Sequence, residues 1–156
     1  MPKIVRDLIE YYVDECSYMK APNFKQINID SMFLVPAKKP DIGKILKVWS
    51  EPSIHYKKII KTPSGVSLEG QKLTGSGVLV EGNLNLRVEY VSSRENGSTH
   101  MIQSYFPFSA YIVLPDLFNF NSLVNTSVLI EDVDIKLINE RTVYCNITLM
   151  TIADIC

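Results

Sequence analysis

Alternate residues between Gly77 and Tyr90 fall into two chemically opposite sets. One set is Val78, Val80, Gly82, Leu84, Leu86, Val88 and Tyr90; the other is Leu79, Glu81, Asn83, Asn85, Arg87 and Glu89. Side chains on a strand point alternately to opposite faces, so this pattern predicts one strand with a face in a core and a face in water. At ~3.3 Å per residue it would run roughly 45 Å, about twice the usual length. A strand that long bends, and Gly82 is the expected place. A one-residue slip would turn every apolar side chain outward, so the register is strongly specified. A chain built around such a strand is expected to be an antiparallel β-sandwich.

The flanking sequence agrees. Phe24 to Val35 reads as a first strand, with Ile27 and Ile29 on one parity and a phase change near Ser31. Ile42 to Trp49 follows, interrupted at Glu51-Pro52-Ser53, and Ile54 to Lys61 resumes it. Thr62-Pro63-Ser64-Gly65 reads as a turn, Val66 to Leu73 as a short strand, and Thr74-Gly75-Ser76-Gly77 as a connection. Residues 92–98 form a polar loop ending in a turn former. Thr99 to Leu114 is a strand in which Pro107 implies an edge or a bulge. Leu123 to Ile138 switches parity, which a bulge near Glu131-Asp132 would reconcile, and Arg141 to Ile152 is the last strand. Strands in succession without intervening helices indicate a sandwich or barrel, not a parallel α/β sheet.

Ahead of the sandwich, residues 3–19 read as a helix. Val5, Leu8, Ile9, Tyr12, Val13 and Cys16 recur at helical spacing, and Ala21-Pro22-Asn23 ends the run. The expected organisation is therefore a single domain, with an N-terminal helix or arm over 1–22 and a β-sandwich over 23–156. The helix either caps the sandwich or docks on a neighbouring copy.

Charge excludes several functions. Sixteen basic against seventeen acidic side chains give a net charge of −1. That balance supplies neither counterion release toward nucleic acid nor a polybasic patch toward anionic lipid. It also leaves little repulsion between copies, which is compatible with a homo-oligomer or polymer. No uncharged apolar run approaches the ~20 residues of a membrane helix, so no membrane insertion is expected. The opening residues lack the pattern of a secretory signal, so synthesis in a cytoplasm is expected.

No chemistry is spelled out. His55 and His100 have no oriented partner at local spacing. Glu131, Asp132 and Asp134 are acidic, but lack the ligand spacing of a calcium loop and read as a solvated face. The glycine-containing turns neither end in Lys-Ser/Thr nor open a helix, so they are not phosphate cradles. No catalytic residue, metal or cofactor is expected, and the chain is not expected to be an enzyme. Of the three cysteines, Cys156 is the leading candidate for an intermolecular disulfide, since termini are usually exposed. Cys16 and Cys145 follow it as candidates, although each shares an apolar stripe and has the pattern of a small buried hydrophobe. Tyr11 and Tyr12 on the helix, and Phe118 and Phe120 in the loop after Pro115, are candidate apolar anchors of an interface.

Four ordered motifs add a family resemblance: LVPAKKPDIGKILKV at 34–48, GVSLEGQKLTGSGVLVEGNLNLRVEYV at 65–91, FPFSAYIVLP at 106–115 and IEDVDIKLINERTVY at 130–144. Together they resemble the SPOCS domain of endospore-forming bacteria, over roughly residues 24–155. The resemblance implies a spore-associated structural role in the coat, exosporium or an appendage, after synthesis in the mother-cell cytoplasm. The family includes SipL-like morphogenetic proteins, which help encase the developing spore and bind the SpoIVA-type coat ATPase. It also includes short stand-alone proteins, which this chain resembles most. The larger members carry a C-terminal LysM module, which this sequence lacks, so ATPase binding is not carried over. Other spore-coat proteins are the implied partners. The competing expectation is a small-ligand or glycan-binding sandwich, which would show a pocket with converging polar groups.

Overall fold

The computed structural model describes residues 3–6, 9–12, 23–94, 97–115 and 123–155, the first two segments and residue 155 through their backbone. Among the described residues eight strands form two sheets. In chain order they are β1 (Lys3–Arg6), β2 (Ile9–Tyr12), β3 (Asn23–Leu34), β4 (Ile42–Val66), β5 (Lys72–Ser92), β6 (Thr99–Val113), β7 (Val124–Asn139) and β8 (Thr142–Ile155). The larger sheet has the order β1-β2-β4-β5-β6 and the smaller β3-β8-β7. Pairing is antiparallel except between β2 and β4, where Ile9 and Glu10 run parallel to Val48 and Trp49. The sheets face each other with β3 over β6 and β7 over β4.

β5 lies at the centre of the larger sheet, and its alternation is the one read from the sequence. Val78, Val80, Leu84, Leu86, Val88 and Tyr90 are all 0% exposed, while Glu81, Asn83, Asn85, Arg87 and Glu89 line the outer face. Each fully buried aliphatic side chain of this kind contributes about 1.5–3 kcal/mol. β8 answers from the smaller sheet with Val143, Cys145, Ile147 and Leu149. Gly82 stands among the inward positions, and it separates the core between the sheets into two clusters joined by Ile27 and Ile54, while Leu129, Met150 and Ile152 form a third buried cluster on the other parity of β7 and β8. Opposite Gly82 the register of β4 shifts between Ile54 and Tyr56, so His55 is the bulged residue. A Cβ on Gly82 would overlap the Ser53 carbonyl oxygen and the Phe108 ring. The expected bend is thus a bulge, packed so closely that no side chain fits.

Several boundaries differ from the sequence reading. β4 is one strand of 25 residues that runs through Pro52 and Pro63. Its pairing with β2 stops at Trp49, so the prolines fall where no neighbour needs their missing N–H. Thr62–Gly65 and Thr74–Gly77 are not loops but facing parts of one hairpin, with Ser64 opposite Thr74 and a register shift between Lys61 and Ser64. The chain turns at residues 67–71 instead, where Ser67 exchanges backbone bonds of 2.9 Å with Gln71 and Gly70. β3 shows no phase change at Ser31: Ile27, Ile29 and Phe33 point inward throughout, leaving Met32 and Leu34 exposed on the outer face. The bulge in β7 falls between Ile130 and Asp132, and Pro107 sits on the edge strand β6, both as expected. The helix over 3–19 is corrected at its described residues. Lys3–Arg6 and Ile9–Tyr12 are antiparallel strands that extend the open side of β4. Residues 13–19 lie outside the described residues.

One side chain ties the two sheets together at the end remote from the β4–β5 turn. The Arg141 guanidinium donates to the carbonyls of Lys39 (3.0 Å), Val35 (3.0 Å) and Pro36 (2.9 Å), and to Asp41 Oδ1 (2.8 Å). The β7–β8 turn is thereby clamped onto the segment that carries the chain from one sheet to the other. Beneath it Tyr90 donates to the Pro40 carbonyl at 2.8 Å. The hydrogen bond from Arg141 holds the Asp41 carboxyl below its ordinary pKa. A lowered carboxylate stabilises the fold above its unfolded pKa and loses that contribution as acid protonates it, here below about pH 4.

Two predictions follow from this packing. Gly82→Ala should destabilise by at least the ~1–3 kcal/mol typical of overpacking, measured by denaturant unfolding, whereas Ser109→Ala on the exposed neighbouring position should stay within ~0.5 kcal/mol. Arg141→Lys should lower the melting temperature nearly as far as Arg141→Ala, because an ammonium cannot span four acceptors. In either variant the Asp41 pKa, followed by NMR titration, should rise toward the ordinary carboxylate value.

Candidate interaction surface

β6 pairs with β5 only as far as Gly77, opposite Val113. Residues 61–76 of the β4–β5 hairpin therefore project past the end of the sheet as a two-stranded ribbon, about 20 Å long at ~3.3 Å per residue. Its base is held. Thr74 Oγ1 donates to the Leu114 carbonyl at 2.6 Å, and Leu114 N–H donates to the Ser76 carbonyl at 2.9 Å. The Tyr111 ring lies over Gly77, where any Cβ would collide with it, and its hydroxyl reaches Thr62 Oγ1 at 3.3 Å. The tip bears two bare apolar side chains among polar ones: Val66 is 71% and Leu68 108% exposed. An isolated two-stranded hairpin is marginal in water, and exposed apolar side chains at its tip do nothing for the domain's own stability. Residues 56–73 also carry Lys57, Lys58, Lys61 and Lys72 against Glu69, a local surplus of positive charge in a chain of net charge −1.

The outer face of the larger sheet is polar and aromatic. Trp49, Arg87 and Gln103 form one cross-strand row, and Glu51, Asn85 and Tyr105 the next. Gln103 Nε2 donates to Asn85 Oδ1 (2.7 Å) and to the Tyr105 hydroxyl (2.8 Å). Lys47 Nζ stands 4.8 Å from the Trp49 ring centroid and Arg87 packs at 5.7 Å, so the indole is already engaged by cations. A shallow groove of about 500 Å³ runs over Gly82, with His55, Glu81, Asn83 and Ser109 around Pro107 and Phe108.

The outer face of the smaller sheet carries the acidic residues. Asp30, Asn146 and Asp134 form one row, and Asn28, Thr148 and Asp132 the next. The bulge turns Glu131 to this side as well, where it accepts a 2.8 Å hydrogen bond from Gln26. Sequence alternation alone places Glu131 on the opposite face; the extra residue reverses that. Asn28 Nδ2 donates to Asn146 Oδ1 at 2.8 Å, and Lys136 pairs with Asp134 at 3.3 Å. Among the described residues no three His, Cys, Asp or Glu side chains stand together as a metal set.

Of the candidate disulfide and interface residues singled out in the sequence, Cys145 is the one described with its side chain. Cys145 is wholly buried beside Ile147 and Leu149, and burial pushes its thiol up to about 11. An intermolecular bond at Cys145 would need the sandwich to open. Tyr11 and Tyr12 pair through their backbone with Ile4 and Lys3, and their side chains lie outside the described residues. Cys16, Cys156, Phe118 and Phe120 also lie outside them. His100 stacks on Tyr90 at 5.7 Å and bonds Ser98 Oγ at 2.8 Å. The ribbon was missed as a feature, although the lysines and the apolar Val66 and Leu68 are visible in the sequence.

Comparison with known proteins adds one finding. The model of the SipL SPOCS domain matches residues 41–138, from the start of β4 almost to the end of β7 and including the whole ribbon. No curated protein and no solved structure matches the chain significantly. The match covers well over half of the sequence, and the chain belongs to the SipL SPOCS-domain family, a sporulation-related family.

Proposed function

We propose that the chain is a non-enzymatic building block or adaptor of the endospore surface, in the coat, the exosporium or an appendage, and that it works by repeated contact with copies of itself or with other coat proteins. Family membership supports the setting, and the ribbon supports the mode of action. A hairpin with an apolar tip, held rigidly at its base and projecting from a compact sandwich, is a shape that gains stability from a partner. Addition of a strand at the β6 edge or at the start of β7 is a weaker route, because those edges are blunted. Pro107 interrupts β6, Lys39 Nζ donates to the Met101 carbonyl at 2.6 Å, and Lys57 Nζ covers the Val124 carbonyl at 2.5 Å. The rival reading, a small-ligand or glycan module, would use the groove over Gly82; its openness to solvent argues against tight capture of a small molecule. Cys156 is the residue proposed to lock an assembly by an intermolecular disulfide.

Light scattering with and without reductant, combined with electron microscopy, tests the reading. Regular particles far above the 17.7 kDa monomer are expected, and Cys156→Ser should remove any sensitivity to reductant. A monomer in both conditions overturns self-assembly and transfers the reading to an adaptor or ligand module. A thiol reagent should label Cys145 only after denaturation; labelling of the folded Cys16→Ser, Cys156→Ser variant would contradict its placement in the core.

A further inference from the structure

The ribbon and the outer face of the smaller sheet are opposite in charge and lie in opposite parts of the molecule. The ribbon carries Lys61 and Lys72 with Glu69, and Lys57 and Lys58 stand at its root in β4, where Lys57 is bound to the Val124 carbonyl; the face carries Asp30, Glu131, Asp132 and Asp134 with Lys136 beside Asp134. The ribbon leaves the sandwich at the end where β5 reaches Gly77 and β7 begins with Val124. The exposed apolar residues of the receiving face, Met32 (60%), Leu34 (71%) and Ile138 (57%), stand at the other end, beside the Arg141 turn. Both surfaces thus combine exposed apolar side chains with charge, and the charges are complementary. A single copy cannot bring them together, because the sandwich separates them.

We propose that the ribbon of one copy docks across the outer face of the smaller sheet of the next, lysines against carboxylates and apolar tip against the exposed apolar residues. This rests on the self-assembly reading above and specifies its contact. Because the two surfaces differ and sit at opposite ends, the contact is heterologous, and repetition builds a ring or an open filament, not a two-fold dimer. Charge pairing across such a contact sets register and rejects wrong partners more than it adds affinity, while the apolar tip provides the desolvated centre. Ribbon–ribbon and face–face encounters are both repelled, which enforces head-to-tail order.

Charge exchange tests this. Ribbon variant Lys58→Glu, Lys61→Glu, Lys72→Glu and face variant Asp30→Lys, Asp132→Lys, Asp134→Lys are each checked for folding by circular dichroism, then measured by light scattering at low ionic strength. Each alone is expected to fall from the assembled mass to the monomer, and their equimolar mixture to recover association, since the mutated surfaces are again complementary. Val66→Ser with Leu68→Ser, which leaves charge untouched, should lower the assembled mass as well. Raising salt from ~0.02 to ~0.5 M should weaken wild-type association, the screening length falling to a few ångströms. Wild-type protein that assembles while both charge variants assemble equally well overturns the docking surface and leaves self-assembly standing. Monomeric variants whose mixture stays monomeric overturn the pairing of these two surfaces. A wild type that is monomeric throughout overturns both readings.

Discussion

The register of β5 is the constraint on which the molecule depends. β4 and β6 both pair with it along nearly their whole lengths, so its inward parity fixes which of their side chains face the smaller sheet. Six of its side chains are completely excluded from water, and a slip by one residue would turn inward a set that holds two glutamates, two asparagines and an arginine besides Leu79. No compensating core exists on the outer face. The bulge at His55 follows from the same constraint. β4 must follow β5 past a position with no side chain, and the Ser53 carbonyl and the Phe108 ring close over the gap.

What the sequence reveals of the fold tracks how much water each element excludes. β5 carries an unbroken two-residue period and β8 keeps one from Val143 to Leu149, and these stretches are legible residue by residue. The bulge in β7 is legible as a change of phase between Ile130 and Val133. The ribbon is not, because a two-stranded projection with no sheet behind it buries neither face and so imposes no period. Thr62-Pro63-Ser64-Gly65 and Thr74-Gly75-Ser76-Gly77 then read as turns, when they are irregular partners across one hairpin. The N-terminal segment fails for another reason. Strands of four residues are too short for an alternation to compete with a helical spacing. Their pairing with β4 is also set by an unfilled sheet edge that only the fold creates.

The same logic explains why the proposed interaction surface is not legible in the sequence. Its lysines and carboxylates cancel in the net charge, and only the three-dimensional arrangement separates them. Aromatic residues drew the sequence reading toward Tyr11, Tyr12, Phe118 and Phe120, whereas the described surface places its bare apolar side chains at Val66, Leu68, Met32 and Leu34. The acidic residues, read as a solvated strand face, are brought onto one side by the Glu131 bulge.

The pairing of β3 has a consequence for synthesis. Among the described residues β3 bonds only β8 within its sheet, with Asn23 opposite Ala153 and Leu34 opposite Thr142. A ribosome therefore releases β3 long before its partner exists, and the larger sheet has to form over an unclosed side. Contacts so distant along the chain slow folding, and the Arg141 clamp is also made of such contacts. The outer face of the smaller sheet takes shape only when β8 has emerged. A nascent chain can display its ribbon early but lacks the proposed docking face until β8 has emerged, so the proposed assembly would grow only from folded molecules.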